Sequence, residues 1–498
     1  MRRPPLIIIA AILMQACGFW TAGCASLRGS PVRLDEATAE AALRRDVAAC
    51  ADATAVHDLL AREIVAYAAL ADRLAAERAA LRSEVVQAAQ SADRGEPVSG
   101  ARVEALNQAF SSASRTVTAV ATVAARHDAW RRRDAPHPDL GLRTLGASLS
   151  AVAALELYDS YLMCGALLAS QPQLRKIVDR GDAALGNAGG QLDGLTRDYL
   201  DLARRYRTHD TITFLREHRA LIEREDVHRI WLRERVAASP SARTLRAHWL
   251  VPLGEFAGET ANLVESDLRR LGDAALGGAS QGFGNAVGAV QFRRGKLFDD
   301  PSAEVALRAV LRPGDILLEK TPFRLTDRFI PGHWGHVALW LGSETEVRAI
   351  LGDDPGLAAH TRVLASGAGV CEALRDGVQL NPLSRFLDVD DIAVLRCQLT
   401  PAELAQHLRR SLRQLGKDYD FNFDVETADR IVCSELVYQV FTGIAWPTGK
   451  ALGRATISPD QVALRSLAGG PLEVVALWHD GVRVEGDLTT AMNQLLGQ

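Results

Sequence analysis

The sequence predicts an α+β protein, with an N-terminal all-helical bundle or long helical hairpin ahead of a domain of short strands and segregated helices. Three observations predict it. Leu60, Ile64, Tyr67, Ala71, Leu74, Leu81 and Val85 follow spacings of three and four, and so do Val103, Leu106, Phe110, Ala113, Val117 and Val120. The run Gly95-Glu96-Pro97-Val98-Ser99-Gly100 between them is a helix breaker with Ser99 available as a cap. After Pro301 the apolar pattern shortens to strand-length runs.

The chain has 498 residues, 48% of them hydrophobic and 24% charged, with a net charge of −4. At roughly 100–200 residues per domain that is two to four domains. No acidic or basic tail is present, so a nucleic-acid partner is not expected.

The N-terminus reads as an export signal over residues 1–23. Arg2 and Arg3 precede a short apolar run, Leu6 to Met14, too short to span a bilayer as a helix. Thr21-Ala22-Gly23-Cys24 follows and resembles the bacterial lipobox. The resemblance implies lipidation at Cys24, a linker over 24–33, and a lipoprotein of the cell envelope. With Ala25 after the lipidated Cys24, it implies the outer membrane, facing the periplasm. Several acyl chains anchor stably where one binds only marginally.

Residues 34–252 form the expected helical domain. The two seams should pack antiparallel, and a helix of about 50 residues would extend about 75 Å. Arg131, Arg132 and Arg133 beside Trp130 read as a solvated helix end. Residues 139–169 carry few charges and read as a buried bundle helix rather than a membrane span. Further helices are expected at about 191–236. The His and Asp residues of this half are scattered on polar faces, and no catalytic constellation is expected there. Residues 253–300 form a Gly-rich connector. Its stretch 277–295, with small residues at Gly284 and Gly288, is a hinge or, alternatively, a membrane-contact segment.

Of the cysteines at 17, 24, 50, 164, 371, 397 and 433, the first leaves with the signal and the second carries lipid. In an oxidising compartment Cys50–Cys164 and Cys371–Cys397 are available as pairs, leaving Cys433. No Cys-x-x-Cys or His-x-x-x-His spacing appears, so neither a metal nor an organic cofactor is expected.

The last part, 301–490, is expected to carry the chemistry. Strands are predicted at 315–320, 335–341, 369–374 and 392–397, helices at 401–415 and 433–443, and a hairpin at 472–484. His336 opens a predicted strand and Cys433 sits at the first turn of a predicted helix. A thiolate is favoured at a helix N-terminus and beside an imidazolium, and a strand His can shuttle its proton. A third polar group must orient the imidazole; Glu372 on the next strand, about 5 Å across, is the candidate. His333 is a competitor for His336, less fixed because it lies in a Pro-Gly turn.

Gly314-Asp315-Ile316-Leu317-Leu318, Gly335-His336-Val337-Ala338-Leu339, Glu372-Ala373, Gly377-Val378, Gly416-Lys417-Asp418-Tyr419-Asp420-Phe421 and Cys433-Ser434-Glu435-Leu436-Val437-Tyr438 occur in this order. Together they resemble the YiiX-like group of circularly permuted papain-fold cysteine hydrolases, related to the NlpC-type cell-wall hydrolases and to lecithin retinol acyltransferase. The His precedes the Cys here, as in that group. The resemblance implies a permuted papain-like domain with Cys433 as nucleophile, His336 as base and Glu372 as the acidic third member. Tyr419 matches a Tyr near the nucleophile that is a candidate oxyanion donor; a core aromatic with a satisfied hydroxyl is the alternative. Glu435 reads as structural, and the Cys433 backbone N–H as an oxyanion donor.

The expected activity is cysteine-peptidase or amidase hydrolysis of an amide or peptide bond, with peptidoglycan peptide as the favoured substrate. A lipid acyl hydrolase or acyltransferase acting on an acyl-lipid is the first alternative, suited by Trp334 and Trp340. A non-catalytic helical envelope scaffold is the second.

Overall fold

The computed structural model describes residues 35–497, apart from 95, 170, 188, 248–249, 251–257, 267–290, 325–331, 421–424, 427 and 452–453. The expected signal peptide, Cys24, the expected linker 24–33, most of the expected Gly-rich connector and Phe421 therefore lie outside the described residues.

The N-terminal half is helical: α1 (Glu36–Ala48), α2 (Ala53–Asp93), α3 (Gly100–Arg126), α4 (Leu140–Ala169), α5 (Pro172–Arg180), α6 (Gln191–Leu200), α7 (Leu202–Glu217), α8 (Val227–Ala238) and α9 (Pro240–Ala247). The expected long helix is α2, with 41 residues rather than about fifty. Its seam is buried from Leu60 to Val85, as are Val103, Leu106 and Phe110 of α3. Glu84 bonds Arg102 and Glu77 bonds Ser112, a stepping in opposite directions that gives the antiparallel pairing. Helix α4 is long and apolar enough to cross a membrane by length and composition, yet 67% of its apolar window is buried within the protein.

Compactness does not follow the division at residue 252. Among the described residues, one unit takes in those up to Ala71, Val117–Asp159 and those from Arg197 to 247; the other takes in Asp72–Thr116, Ser160–Thr196 and those from Leu250 on. The distal part of the α2–α3 hairpin, with α5 and most of α6, thus belongs to the same unit as the strands. Leu81, Val85, Val98, Val103, Leu106, Phe110, Leu174 and Ile177 form one cluster with Ala428.

In the first unit, two expectations need correction. His127 is not on a solvated face but is 1% exposed, with Nε2 2.7 Å from Glu63 Oε2 and Nδ1 accepting from Trp130 Nε1. Burial opposes ionisation of Glu63, but His127 and Arg126 outweigh it and hold the carboxyl at about 2. Nor is the Arg131 side chain free at a helix end, since Nε donates to Thr211 Oγ1 and the guanidinium pairs with Asp128 and Asp210.

The second unit is built on a seven-stranded antiparallel sheet of order β4-β3-β2-β1-β5-β8-β9. Its strands are β1 (Asp315–Lys320), β2 (His336–Trp340), β3 (Val370–Leu374), β4 (Gly377–Asn381), β5 (Asp391–Cys397), β8 (Leu472–His479) and β9 (Val482–Arg483); β6 (Gly449–Ala451) and β7 (Arg454–Thr456) form a separate hairpin. Alternate residues face opposite sides of each strand, so both faces of the sheet are apolar. One face presents Ile316, Leu318, Val337, Leu339, Cys371 and Ala393 to α11 (Glu344–Leu351), α12 (Pro401–Gln414), α13 (Cys433–Val440) and α14 (Leu488–Leu495). The other presents Leu317, Ala338, Trp340, Val370, Ile392 and Val394 to α10 (Pro301–Val310) and to Phe386.

Residues 291–295, expected to be hinge or membrane contact, are fixed against this domain. Phe292 N–H bonds the Phe323 carbonyl at 3.0 Å, and Gly295 N–H bonds Asp388 Oδ1 at 2.7 Å. All five described cysteines are free thiols, so the expected pairs do not form. Cys371 on β3 and Cys397 on β5 are three strand spacings apart, about 14 Å, well beyond disulfide reach.

Candidate functional site

His336 is the first residue of β2 and pairs with Glu319 on β1. On its other side, β3 registers Leu339 against Cys371, which puts Glu372 diagonal to His336 on the same face. The diagonal distance is within the reach of two long side chains, and Glu372 Oε2 lies 2.9 Å from His336 Nε2. The expected contact is present, by a diagonal rather than a directly opposite pairing.

Glu372 is itself held. Asn381 on β4 donates Nδ2 to Glu372 Oε1 at 2.8 Å, and Arg385 Nη1 donates to Asn381 Oδ1 at 2.9 Å. Glu372 and Asn381 are both buried. A fully bonded carboxylate fixes the plane and tautomer of the imidazole it accepts from.

Cys433 begins α13, a helix buried over all eight residues against β2 and β3. Val432 caps it in extended conformation, and its N–H donates to the Glu435 carboxylate at 2.9 Å. Glu435 is therefore a brace for the helix start, as the sequence suggested. Ser434 Oγ donates to the Ile457 carbonyl at 2.6 Å and pins the same turn. Cys433 lies close enough to His336 for its charge to act on the imidazole.

Burial alone would push His336 down. The Cys433 sulfur, the Glu319 carboxylate and the hydrogen bonds to Cys433 and Glu372 outweigh it and hold the imidazole well above its ordinary value.

Tyr419 reaches the same place through main-chain bonds. Ile431 N–H bonds the Asp418 carbonyl at 3.0 Å and Asp420 N–H bonds the Ile431 carbonyl at 3.3 Å, tying 418–420 to the run into Cys433. Burial, then the charges of Cys433 and Glu435, push its phenol well above the usual range.

The remaining expectations separate. His333 does not compete for the thiol; its Nε2 lies 2.9 Å from Asp391 Oδ2. Trp334 and Trp340 are core side chains, 0% and 6% exposed. Sequence reasoning passed over Glu319 and Asn381, whose only signal is strand alternation on β1 and β4, and Arg385, which lies in the short helical turn Leu383–Phe386 after β4.

Residues 310–494 match the family described as permuted papain-like amidase enzyme, YaeF/YiiX, C92 family. The C-terminal region is a permuted papain-like domain of the YiiX type. No curated protein and no solved structure matched the chain. The match makes this domain an amidase or related hydrolase, and it spans every strand of the seven-stranded sheet together with α13. The parts of α2 to α6 packed in the same unit lie outside the match and are additions to the papain-like domain.

Proposed function

We propose that the protein is an envelope-anchored thiol hydrolase, lipidated at Cys24, that cleaves an amide or peptide bond of peptidoglycan through a Cys433 acyl-enzyme. The observation that carries the reading is His336 bonded to the Glu372 carboxylate, with the charge of Cys433, at a helix start, acting on it.

In this reading Cys433 Sγ attacks the carbonyl carbon and forms a tetrahedral oxyanion. The Cys433 backbone N–H, one of the helix-start groups without an intrahelical acceptor, and the Tyr419 hydroxyl donate to it. With Nε2 engaged by Glu372, Nδ1 of His336 is the ring nitrogen left to exchange a proton with the sulfur and pass it to the leaving amine. Water then attacks the thioester, His336 takes its proton, and the acid is released. Glu372, Asn381 and Arg385 keep the ring oriented throughout.

An envelope anchor would put this chemistry beside cell wall, which favours peptidoglycan peptide over other amides. The burial of Trp334 and Trp340 removes one support for the acyl-lipid alternative, because neither ring is available to a lipid chain. The thiol–imidazole–carboxylate arrangement disfavours the non-catalytic scaffold.

The test is digestion of purified peptidoglycan by wild type and by Cys433→Ala, resolved by mass spectrometry. New muropeptides with wild type alone support the proposal. Identical digests reject the cell-wall substrate, and a parallel incubation with phospholipid vesicles reads the acyl-lipid alternative.

A further inference from the structure

At the same end of the sheet as His336, two strands further along, three ligand-type side chains converge. His333 comes from the turn before β2, Asp391 opens β5 and His479 closes β8. His333 Nε2 and His479 Nδ1 each lie 2.9 Å from Asp391 Oδ2, and the three ligand atoms lie within 4.8 Å of one another. We propose that His333, Asp391 and His479 form a divalent transition-metal site, of the kind that takes zinc, separate from the thiol site.

The donor set is two imidazoles and one carboxylate, which suits zinc and its neighbours rather than calcium or magnesium. An ion about 2.1 Å from each nitrogen allows ring centres up to about 6.4 Å apart, and those of His333 and His479 are 6.1 Å apart. Each ligand is set by backbone or by a second partner. Asp391 Oδ1 accepts the Asp480 N–H at 2.7 Å, which leaves Oδ2 for the ion. Asp480 and Gly481 both have positive φ, the tight two-residue turn between β8 and β9 that carries His479. Asp460 accepts the N–H groups of His333 and Trp334 at 2.9 and 2.7 Å and fixes the turn. Asp391 is buried, His333 partly so, and His479 is open to solvent, so a water or an external ligand can complete the coordination. The sequence concealed the site because residues 333, 391 and 479 share no short spacing. Bound metal would clamp the turn three residues before His336 to β5 and β8.

Zinc also binds thiols, so the experiment uses full-length protein carrying Cys433→Ala, without a purification tag, stripped with chelator. Calorimetric titration with zinc chloride is expected to give one ion per chain, and a bound ion should raise the melting temperature. On that background His479→Ala and Asp391→Asn should each weaken binding at least tenfold, with circular dichroism confirming the fold. His479→Ala, at an exposed strand end, serves if Asp391→Asn does not fold. Absence of one-to-one binding in the parent overturns the site regardless of the variants, as does unchanged affinity in His479→Ala.

Discussion

Glu319 lies directly across the β1–β2 ladder from His336, so a second buried carboxylate acts on the imidazole in addition to Glu372. Its charge raises the imidazole's proton affinity. Glu319→Gln should lower the His336 pKa and move the alkaline limb of the activity profile to lower pH. KM should change less than kcat. The pH dependence of turnover checks this, and an unmoved limb would remove Glu319 from the site. The sign also applies to stability. A raised imidazole contributes fully below its unfolded value of about 6.5, and that contribution is lost as pH rises through the folded value.

Glu372 and Asn381 act in series on the ring. Glu372→Ala should reduce kcat by at least about tenfold, because the ring loses its fixed tautomer. Asn381→Ala should have a smaller effect in the same direction, since Glu372 keeps its bond to His336 and loses only its second partner. Steady-state kinetics on the two variants and their double mutant should give less than additive losses.

The α2–α3 turn is packed on α13. A Cβ at Gly100 would lie 2.9 Å from the Tyr438 carbonyl oxygen and 3.2 Å from Gln439 Cα, both backbone positions of α13. Tyr438 Oη donates to the Val98 carbonyl, and Val98 N–H bonds Glu426 at 2.8 Å. Gly100→Val should therefore cost about 1–3 kcal/mol by overpacking. It should also lower turnover by displacing Cys433, although residue 100 is far from it in sequence. Urea unfolding and kinetics on one preparation test both.

In the helical unit, the Glu63 carboxyl held at about 2 predicts acid sensitivity. Its contribution is present above about pH 4.5 and is lost as pH falls through about 2, and it amounts to about 2–3 kcal/mol. Glu63→Gln should remove most of that difference between pH 6 and pH 3 in thermal melts.

Much of this was legible locally. The strands at 315–320 and 336–340, the helix beginning at Cys433 and the 472–483 hairpin follow from alternation, a helix start and an Asp-Gly turn, all short-range signals. His336 and Cys433 were legible through the order of the family motifs. Strand order was not legible, and it decides the rest. The expected Cys371–Cys397 pair fails because β2 and β1 lie between those strands, and Glu319 escaped notice because its partner is 17 residues away across a turn. The grouping of 72–116 with the sheet domain depends on long-range packing around Ala428 and Tyr438 that no periodicity encodes. His127 read as solvated because its partners Glu63 and Trp130 meet only in the folded bundle.

The most direct measurement is the rate of Cys433 carboxymethylation by iodoacetate at pH 6, followed by peptide mass spectrometry, in wild type and in His336→Ala. Cys371, buried with its thiol pushed far up, serves as the internal control. The account predicts that Cys433 reacts at least about tenfold faster in wild type than in the variant, and ahead of Cys371 in both. Equal rates with and without the imidazole would contradict it.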